Sequence, residues 1–237
     1  MVKFWVGFAL IVAAIATLSH CDSTVIGSPL NFHFTFGPGS GEPGSGVAKS
    51  ETRQIGDFQS IHAEGAGTLD VEVKSGQTGR SLEITADDNL LSLITTEVKD
   101  GVLEVTPAIS MSPRSGLRLK VSVPALAGIH LEGANHLNLN IDSPADFDLH
   151  IEGAGRVKAA GKVGRLTMHS EGAGNIDAAE LVASAVDVHI EGAGKAKVNA
   201  TESLKAHIEG AGVITYSGEP KEVEKNIEGI GRISKAG

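Results

Sequence analysis

Apolar and polar residues alternate along most of the second half of the chain, and small residues interrupt the alternation at regular intervals. In residues 186–200 (VDVHIEGAGKAKVNA), Val186, Val188 and Ile190 alternate with polar residues, and Ala196 and Val198 do so again. A period of two is that of a strand with one buried face. The Gly-Ala-Gly between the two runs favours a tight corner, because glycine accepts positive φ. Each unit is therefore predicted to be a strand, a glycine corner and a second strand.

This unit recurs as the motif His-x-Glu-Gly-Ala-Gly, with small departures. The copies begin at His62, His130, His150, His169, His189 and His207, and a decayed copy begins at Asn226. From Glu132 to Glu228, successive motif glutamates are 20, 19, 20, 18 and 19 positions apart. Repeats of roughly 20 residues are typical of a solenoid, in which each unit buries its apolar face only by stacking on its neighbours.

The predicted fold class is therefore all-β, a parallel β-helix with rungs of about 18–20 residues that occupies residues 51–237 as one domain. We expect right-handed coiling, by analogy with parallel crossovers. The section from Ile55 to Ala125 is less regular, and the distance from Glu64 to Glu132 has room for three or four further rungs. Lys225, on the inward side of the alternation, indicates a terminal rung.

The N-terminus has the layout of a secretory signal peptide, which we assign to residues 1–20. Lys3 precedes an apolar run over residues 4–18, and the first acidic residue is Asp22. The run is shorter than the roughly 18 apolar residues expected of a membrane-spanning helix, although a retained anchor helix is the alternative. The mature protein is therefore expected to be exported.

Cys21 is the only cysteine of the chain. Leu18-Ser19-His20-Cys21 resembles the bacterial lipoprotein cleavage box, apart from His20, where that box has a small residue. Two outcomes stay open: lipidation of Cys21, the only membrane attachment that we predict, or cleavage elsewhere that frees the protein. Residues 21–50 contain the Gly/Pro/Ser-rich stretch FGPGSGEPGSG and are predicted to be a flexible tether.

Composition narrows the range of partners. The net charge of −9 argues against nucleic acid, because phosphate binding needs clustered Lys and Arg. Aromatic residues make up 4% of the chain, which agrees with a narrow coil that has room mainly for Val, Ile, Leu and Ala.

Three segments in the same order carry a family resemblance: GDFQSIHAEGAGTLDVEVKSGQ, then SLEITADDNLLSLITTEVKDGVLEV, then the Gly-x-Gly strand repeats. Over residues 53–237 the chain resembles the putative auto-transporter adhesin, head GIN domain family, formerly a domain of unknown function. The resemblance implies an exported bacterial β-helix of the cell envelope with no established reaction. The family pattern names no functional residues, and this chain has Glu-Gly-Ala-Gly where Ser-Gly-Ser-Gly-Asp is common.

Stacked rungs would place a column of histidines beside a column of glutamates on the outward face. Three interpretations stay open: duplicated surface decoration, a pH response, and a site for a divalent transition metal such as Zn²⁺ or Cu²⁺. Imidazoles titrate near pH 6.5, and protonating six of them would change the net charge from −9 to −3. The candidate metal ligands are His130, Glu132, His150, Glu152, His169, Glu171, His189, Glu191, His207 and Glu209.

An enzyme is not expected. The chain has no Gly-x-Ser-x-Gly elbow, no phosphate-binding loop and no cysteine nucleophile in the predicted domain. A regular carboxylate column also lacks the contrast in environment that separates an acid from a base. We predict a non-catalytic, adhesin-like binding or scaffold surface for an envelope or extracellular glycan or protein, with metal binding as the alternative. Homo-oligomers can form through the unpaired strand edges at an open coil end.

Overall fold

The computed structural model describes residues 41–237 of the 237-residue chain. The predicted signal peptide, Cys21 and residues 21–40 of the predicted tether lie outside this range. The described residues form eleven β-strands and one short 3₁₀ helix, Leu91–Leu93, with no α-helix among them. The strands are β1 (Glu42–Pro43), β2 (Ala48–Arg53), β3 (Ser60–Lys74), β4 (Ser81–Asp87), β5 (Ile94–Lys99), β6 (Val102–Pro107), β7 (Met111–Ser112), β8 (Arg118–Val123), β9 (Gly128–Asp142), β10 (Phe147–Ser217) and β11 (Glu222–Lys235). The all-β class predicted from the alternation is confirmed.

Nine of the strands form one large mixed sheet. Its main path runs β11-β10-β9-β3-β8-β4-β2, β6 pairs with β3, and β5 pairs with β6. Strands β1 and β7 form a separate two-stranded parallel sheet. Within the large sheet, the motif-bearing strands pair in parallel, whereas the β2–β4, β4–β8 and β5–β6 pairs are antiparallel.

The parallel pairs set equivalent motif residues side by side. His62 of β3 is in register with His130 of β9, and His130 is in register with His150 of β10. At the other end of the sheet, His207 of β10 is in register with Asn226 of β11. The repeat therefore determines the register, because a shift by one residue would move every buried side chain to the outward face.

Strand β10 is 71 residues long and contains four copies of the motif. Its equivalent residues also lie side by side: the rings of His150 and His169 are 4.8 Å apart, and those of His189 and His207 are 4.4 Å apart. A straight strand would separate residues 19 positions apart by roughly 60 Å. The chain therefore returns to the same face once per motif.

Alternation along each strand produces the core. Val186, Val188 and Ile190 are at most 2% exposed, and so are Ala196 and Val198 in the strand segment after the corner. The bulky residues Leu, Ile and Val dominate the buried set, with Phe58, Phe147 and Tyr216 as its aromatic members. These are the inward positions that the two-residue period predicts.

The first glycine of each corner adopts a backbone conformation that other residues avoid. Gly172 has a φ of +106°, and a Cβ atom there would lie 2.4 Å from the carbonyl oxygen of Gly153 in the neighbouring copy. Both the left-handed φ and the close approach of two backbones require glycine at this position.

The N-terminal section contradicts the expectation of three or four rungs between Glu64 and Glu132. These two glutamates are direct neighbours in the β3–β9 register. The intervening residues instead form strands on the other side of β3, where β6 covers its first half and β8 its second half. Antiparallel strands then extend the sheet: β5 pairs with β6, and β4 pairs with β8 and β2.

Strand structure also begins earlier than predicted. The prediction places residues 41–50 in the tether, whereas β1 spans Glu42–Pro43 and β2 begins at Ala48. Asp87 accounts for this order, since its carboxylate accepts backbone hydrogen bonds from Gly46 at 2.6 Å and from Arg114 at 2.9 Å. Composition identified the glycines of this segment but not the buried carboxylate that holds them.

Strand β11 ends the sheet. Lys225 is in register with the buried Ala206, yet it is exposed and places its Nζ 4.8 Å from the ring centre of Tyr216. A cation at an inward position is tolerated because no further strand covers β11 among the described residues. None of the helical structure within residues 41–237 is long and apolar enough to cross a membrane.

Candidate functional site

The outward face of the parallel strands carries a continuous histidine–glutamate column. We use this name for His62, His130, His150, His169, His189, His207, Glu132, Glu152, Glu171, Glu191 and Glu209. In each strand the histidine and glutamate are two positions apart and flank a buried residue, as His150 and Glu152 flank Ile151. Both side chains therefore point to the outward face.

The six imidazole rings lie next to one another along the column; His62 and His130 are stacked, whereas the later pairs are tilted or edge-on. Consecutive ring centres are 4.7, 4.5, 4.8, 4.9 and 4.4 Å apart from His62 to His207. The spacing is that of hydrogen-bonded strands, so the backbone register alone brings the rings into contact.

Histidines and glutamates also contact each other in a zigzag between adjacent copies. His130 Nε2 lies 3.7 Å from Glu132 Oε1 in its own copy and 3.2 Å from Glu152 Oε1 in the next. His169 repeats this pattern, at 3.0 Å from Glu171 and 3.6 Å from Glu191. Among the described residues, histidines are the only ion-pairing partners of Glu132, Glu152, Glu171 and Glu191 within 4.0 Å.

Two histidines in the column contain buried ring nitrogens without a hydrogen bond. His150 Nε2 and His189 Nε2 are buried atoms, and neither makes a hydrogen bond of acceptable geometry despite a carboxylate oxygen within 3.4 Å. Burial lowers the pKa of His150, and the neighbouring His130 and His169 lower it further. Burial likewise lowers the pKa of His189, with additional repulsion from His207 and His169. Both imidazoles therefore favour the neutral form.

The column has defined ends. On the N-terminal side, β6 places Glu104 in register with His62. On the C-terminal side, Asn226 takes the histidine position, and its Nδ2 donates a hydrogen bond of 3.3 Å to Glu228. The asparagine thus keeps the contact to the glutamate of its own strand without an imidazole.

The structure places all ten predicted ligand residues in this column and adds His62. They form five overlapping triads of two histidines and one glutamate, with donor atoms within 4.8 Å of one another: His62, His130 and Glu132; His130, His150 and Glu152; His150, His169 and Glu171; His169, His189 and Glu191; His189, His207 and Glu209. Two imidazole nitrogens and one carboxylate oxygen are the three protein ligands of one class of zinc site. Glu64 belongs to none of these triads.

A second feature, which the sequence analysis missed, is an open groove of about 730 Å³ along the glycine corners. We call it the corner groove. Its floor consists of alanines and glycines from four consecutive motif copies, and Arg156, Asn175, Lys195 and the apolar Val213 follow the four corners along it. No lining residue is acidic, although the chain has a net charge of −9. The sequence contained a signal for this groove, because a polar residue, Arg156, Asn175 or Lys195, follows Gly-Ala-Gly in three successive motif copies.

Residues 57–220 match the profile of the family described as putative auto-transporter adhesin, head GIN domain. A search of curated proteins produced no significant match. A solved structure of a putative adhesin from Bacteroides fragilis NCTC 9343 is 24% identical, with a TM-score of 0.64, and the similarity covers 83% of this chain and 100% of that one. At this identity the likeness concerns the fold alone.

Two structures from Parabacteroides distasonis ATCC 8503 are more distant. A putative adhesin is 20% identical with a TM-score of 0.49, and the match covers 82% of this chain and 99% of that one. A putative lipid-binding protein is 21% identical with a TM-score of 0.46, over 82% of this chain and 99% of that one. Similarity at this level says nothing about ligands.

Proposed function

Because the chain belongs to the family described as putative auto-transporter adhesin, head GIN domain, we propose that it is a non-catalytic, adhesin-like binding protein of the bacterial cell envelope. The observation that carries the proposal is the corner groove, a long open surface built from the same positions of successive repeats. A regular array of this kind suits a ligand that itself repeats.

The chemistry of the groove favours an extended anionic glycan. Arg156 and Lys195 are exposed, and Asn175 between them supplies an amide that donates and accepts hydrogen bonds. Lys158 adds positive charge on the strand beyond the corner, whereas Lys197 there is paired with Asp177 at 3.3 Å. The alanine and glycine floor leaves space for sugar rings to approach the backbone. Acidic sugars would meet positive potential here and repulsion at the glutamate column.

A binding assay with a matched control tests this function. The purified chain should bind an immobilised carboxylated polysaccharide such as polygalacturonate, more weakly at high salt, and should not bind neutral dextran. The variant Arg156→Gln/Lys195→Gln should lose most of this affinity. The control Lys49→Gln/Lys205→Gln removes the same charge at exposed sites outside the groove and should keep it. Equal affinity of both variants for the polysaccharide would show that the groove is not its binding site. Binding to a protein receptor but to no polysaccharide would show that the ligand is not a glycan.

The architecture that we propose for this domain is a right-handed parallel β-helix. Support comes from the parallel registers, the ring spacings below 5 Å and the glycine corners once per motif. An experimental crystal structure would test the coil and its hand, and a left-handed or open arrangement would contradict it.

Export completes the proposal. We assign residues 1–20 to a signal peptide, and Cys21 is the candidate for lipid attachment. Fractionation of the producing bacterium should find the protein in the envelope. If Cys21 is lipidated, the wild type should take up a fatty-acid label that Cys21→Ser abolishes. If cleavage elsewhere frees the protein, neither the wild type nor Cys21→Ser should be labelled.

A further inference from the structure

We propose that the histidine–glutamate column binds divalent transition-metal ions of the Zn²⁺ and Cu²⁺ class, each held by two histidines of adjacent motif copies and one glutamate. The inference is independent of the corner groove, because the two features share no residue.

The donor set selects the metal class. Imidazole nitrogen suits Zn²⁺ and Cu²⁺, whereas Ca²⁺ prefers oxygen ligands alone. In each triad the three donor atoms lie within 4.8 Å of one another. Tetrahedral Zn²⁺, with bonds of about 2.0–2.1 Å, needs its donors roughly 3.3 Å apart. Rotation of the glutamates, which are half-buried except for the exposed Glu209, and small ring movements can close this gap while the backbone register stays unchanged.

Charge and unsatisfied atoms favour an ion at these positions. Glu132, Glu152, Glu171 and Glu191 have no Lys or Arg within 4.0 Å in the described part of the chain. His150 Nε2 and His189 Nε2 are buried and lack a hydrogen-bonding partner. A divalent cation bound between two rings would offset the negative charge of the carboxylates and would also be coordinated by these ring nitrogens.

The column is also accessible. His62, His130 and His150 line an open groove of about 420 Å³ together with Glu104 and Asp148. Asp148 at the edge of this groove can guide a cation towards the imidazoles, whereas Glu104 is paired with Lys99 at 3.6 Å.

Overlap between triads limits the number of ions. Each histidine from His130 to His189 belongs to two triads, and one ring nitrogen serves one ion. Six histidines therefore make at most three separate pairs: His62 with His130, His150 with His169, and His189 with His207. Repulsion between ions on adjacent triads also favours alternate occupancy.

Two variants with three substitutions each distinguish binding by adjacent histidine pairs from binding that depends only on the number of histidines. Replacing His130, His169 and His207 by Gln leaves three histidines in the column, His62, His150 and His189, and no two of these are adjacent. Replacing His169, His189 and His207 by Gln leaves His62, His130 and His150 in contact, with ring centres 4.7 and 4.5 Å apart.

The test is a calorimetric titration of the EDTA-treated, dialysed chain with ZnCl₂ at pH 7.5, with CaCl₂ as the control and circular dichroism to verify folding. We expect two or three Zn²⁺ per wild-type chain, one in the contiguous variant and none in the alternating variant. No saturable Zn²⁺ binding by the wild type, equal binding by both variants, or equally tight Ca²⁺ binding would overturn the proposal.

A second measurement uses the wild-type chain alone and stays decisive if the alternating variant does not fold. Electron paramagnetic resonance of the Cu²⁺-loaded protein should show nitrogen couplings from two imidazoles per ion. A spectrum with oxygen ligands only would also overturn the proposal.

Discussion

His62 Nε2 lies 2.9 Å from Glu132 Oε1, although 70 positions of the chain separate the two residues. The contact joins the first copy of the motif directly to the second and places the whole intervening section on the other side of β3. The histidine–glutamate column is therefore continuous from its first member, and each imidazole contacts that of the neighbouring copy.

The glycine corners should tolerate no side chain. In Gly172→Ala the alanine would be strained at a φ of +106°, and its Cβ would clash with the carbonyl oxygen of Gly153. Gly76→Ala is the matched control, since its φ is +85° and no atom lies within 4 Å of the added Cβ. We expect the control to lose about 1–2 kcal/mol of unfolding free energy and Gly172→Ala to lose about 1–3 kcal/mol more. Urea denaturation measures both, and equal losses would contradict the backbone clash.

The stability of the metal-free protein should fall as the pH is lowered from 7 to 5. The pKa values of His150 and His189 are lowered in the folded chain, first by burial and then by neighbouring histidines. Between the unfolded-state pKa of about 6.5 and the lower folded-state pKa, the unfolded chain binds more protons. The stability that these two imidazoles contribute is therefore fully present above about pH 6.5 and declines as the pH falls through this window.

Urea midpoints in EDTA at pH 8, 7, 6 and 5 measure this decline. The variant His150→Gln/His189→Gln should show a shallower dependence below pH 7 than the wild type. Identical slopes would show that these two imidazoles are not the source of the effect.

Asp87 should hold the N-terminal section in place. Its side chain is buried and accepts hydrogen bonds from the backbone N–H groups of Gly46, Arg114 and Ser115. Burial on its own would raise the pKa of Asp87, but these hydrogen bonds to the carboxylate lower the pKa overall. Asp87→Asn replaces one accepting oxygen by a donating amide, which leaves backbone N–H groups unpaired.

We expect faster amide hydrogen exchange at Gly46, Arg114 and Ser115 and a lower melting temperature in Asp87→Asn. The control Asp187→Asn removes the same charge from an exposed position and should change neither. Unchanged exchange in Asp87→Asn would contradict the structural role of the carboxylate.

The uncovered strand β11 should promote self-association. Val223 and Ile227 are 40% and 41% exposed, although the residues in register with them, Leu204 and Ile208, are buried. An unpaired strand edge with apolar side chains favours pairing with another chain. Sedimentation of the wild type at rising concentration should show association, and Ile227→Lys should suppress it. The control Val47→Lys changes an apolar site on the N-terminal section that is 59% exposed, and it should not suppress association. A wild type that stays monomeric at all concentrations would contradict the prediction.

Much of this architecture could be predicted from the sequence because the interactions that produce it are local and repeated. The two-residue period identified the buried positions, such as Val186, Val188 and Ile190, and Gly-Ala-Gly identified the corners. The spacing of His and Glu within each motif placed both on the outward face. Repetition then amplified these local signals, since the same register satisfies every copy at once.

Only the tertiary structure decided how the irregular parts are arranged. The pairing of Glu64 with Glu132 depends on which strands cover β3, and antiparallel pairing through β4 and β8 has no periodic signal in the chain. The defined structure of residues 41–50 depends on Asp87, which accepts a hydrogen bond from the backbone of Gly46. Composition does not predict a contact between residues so far apart in the chain. Likewise, the zigzag contacts of the column and the corner groove arise between copies, where distances are determined by the stacking of strands. The local sequence pattern determines whether a side chain faces the core or the solvent, whereas packing between distant segments determines which residues it contacts.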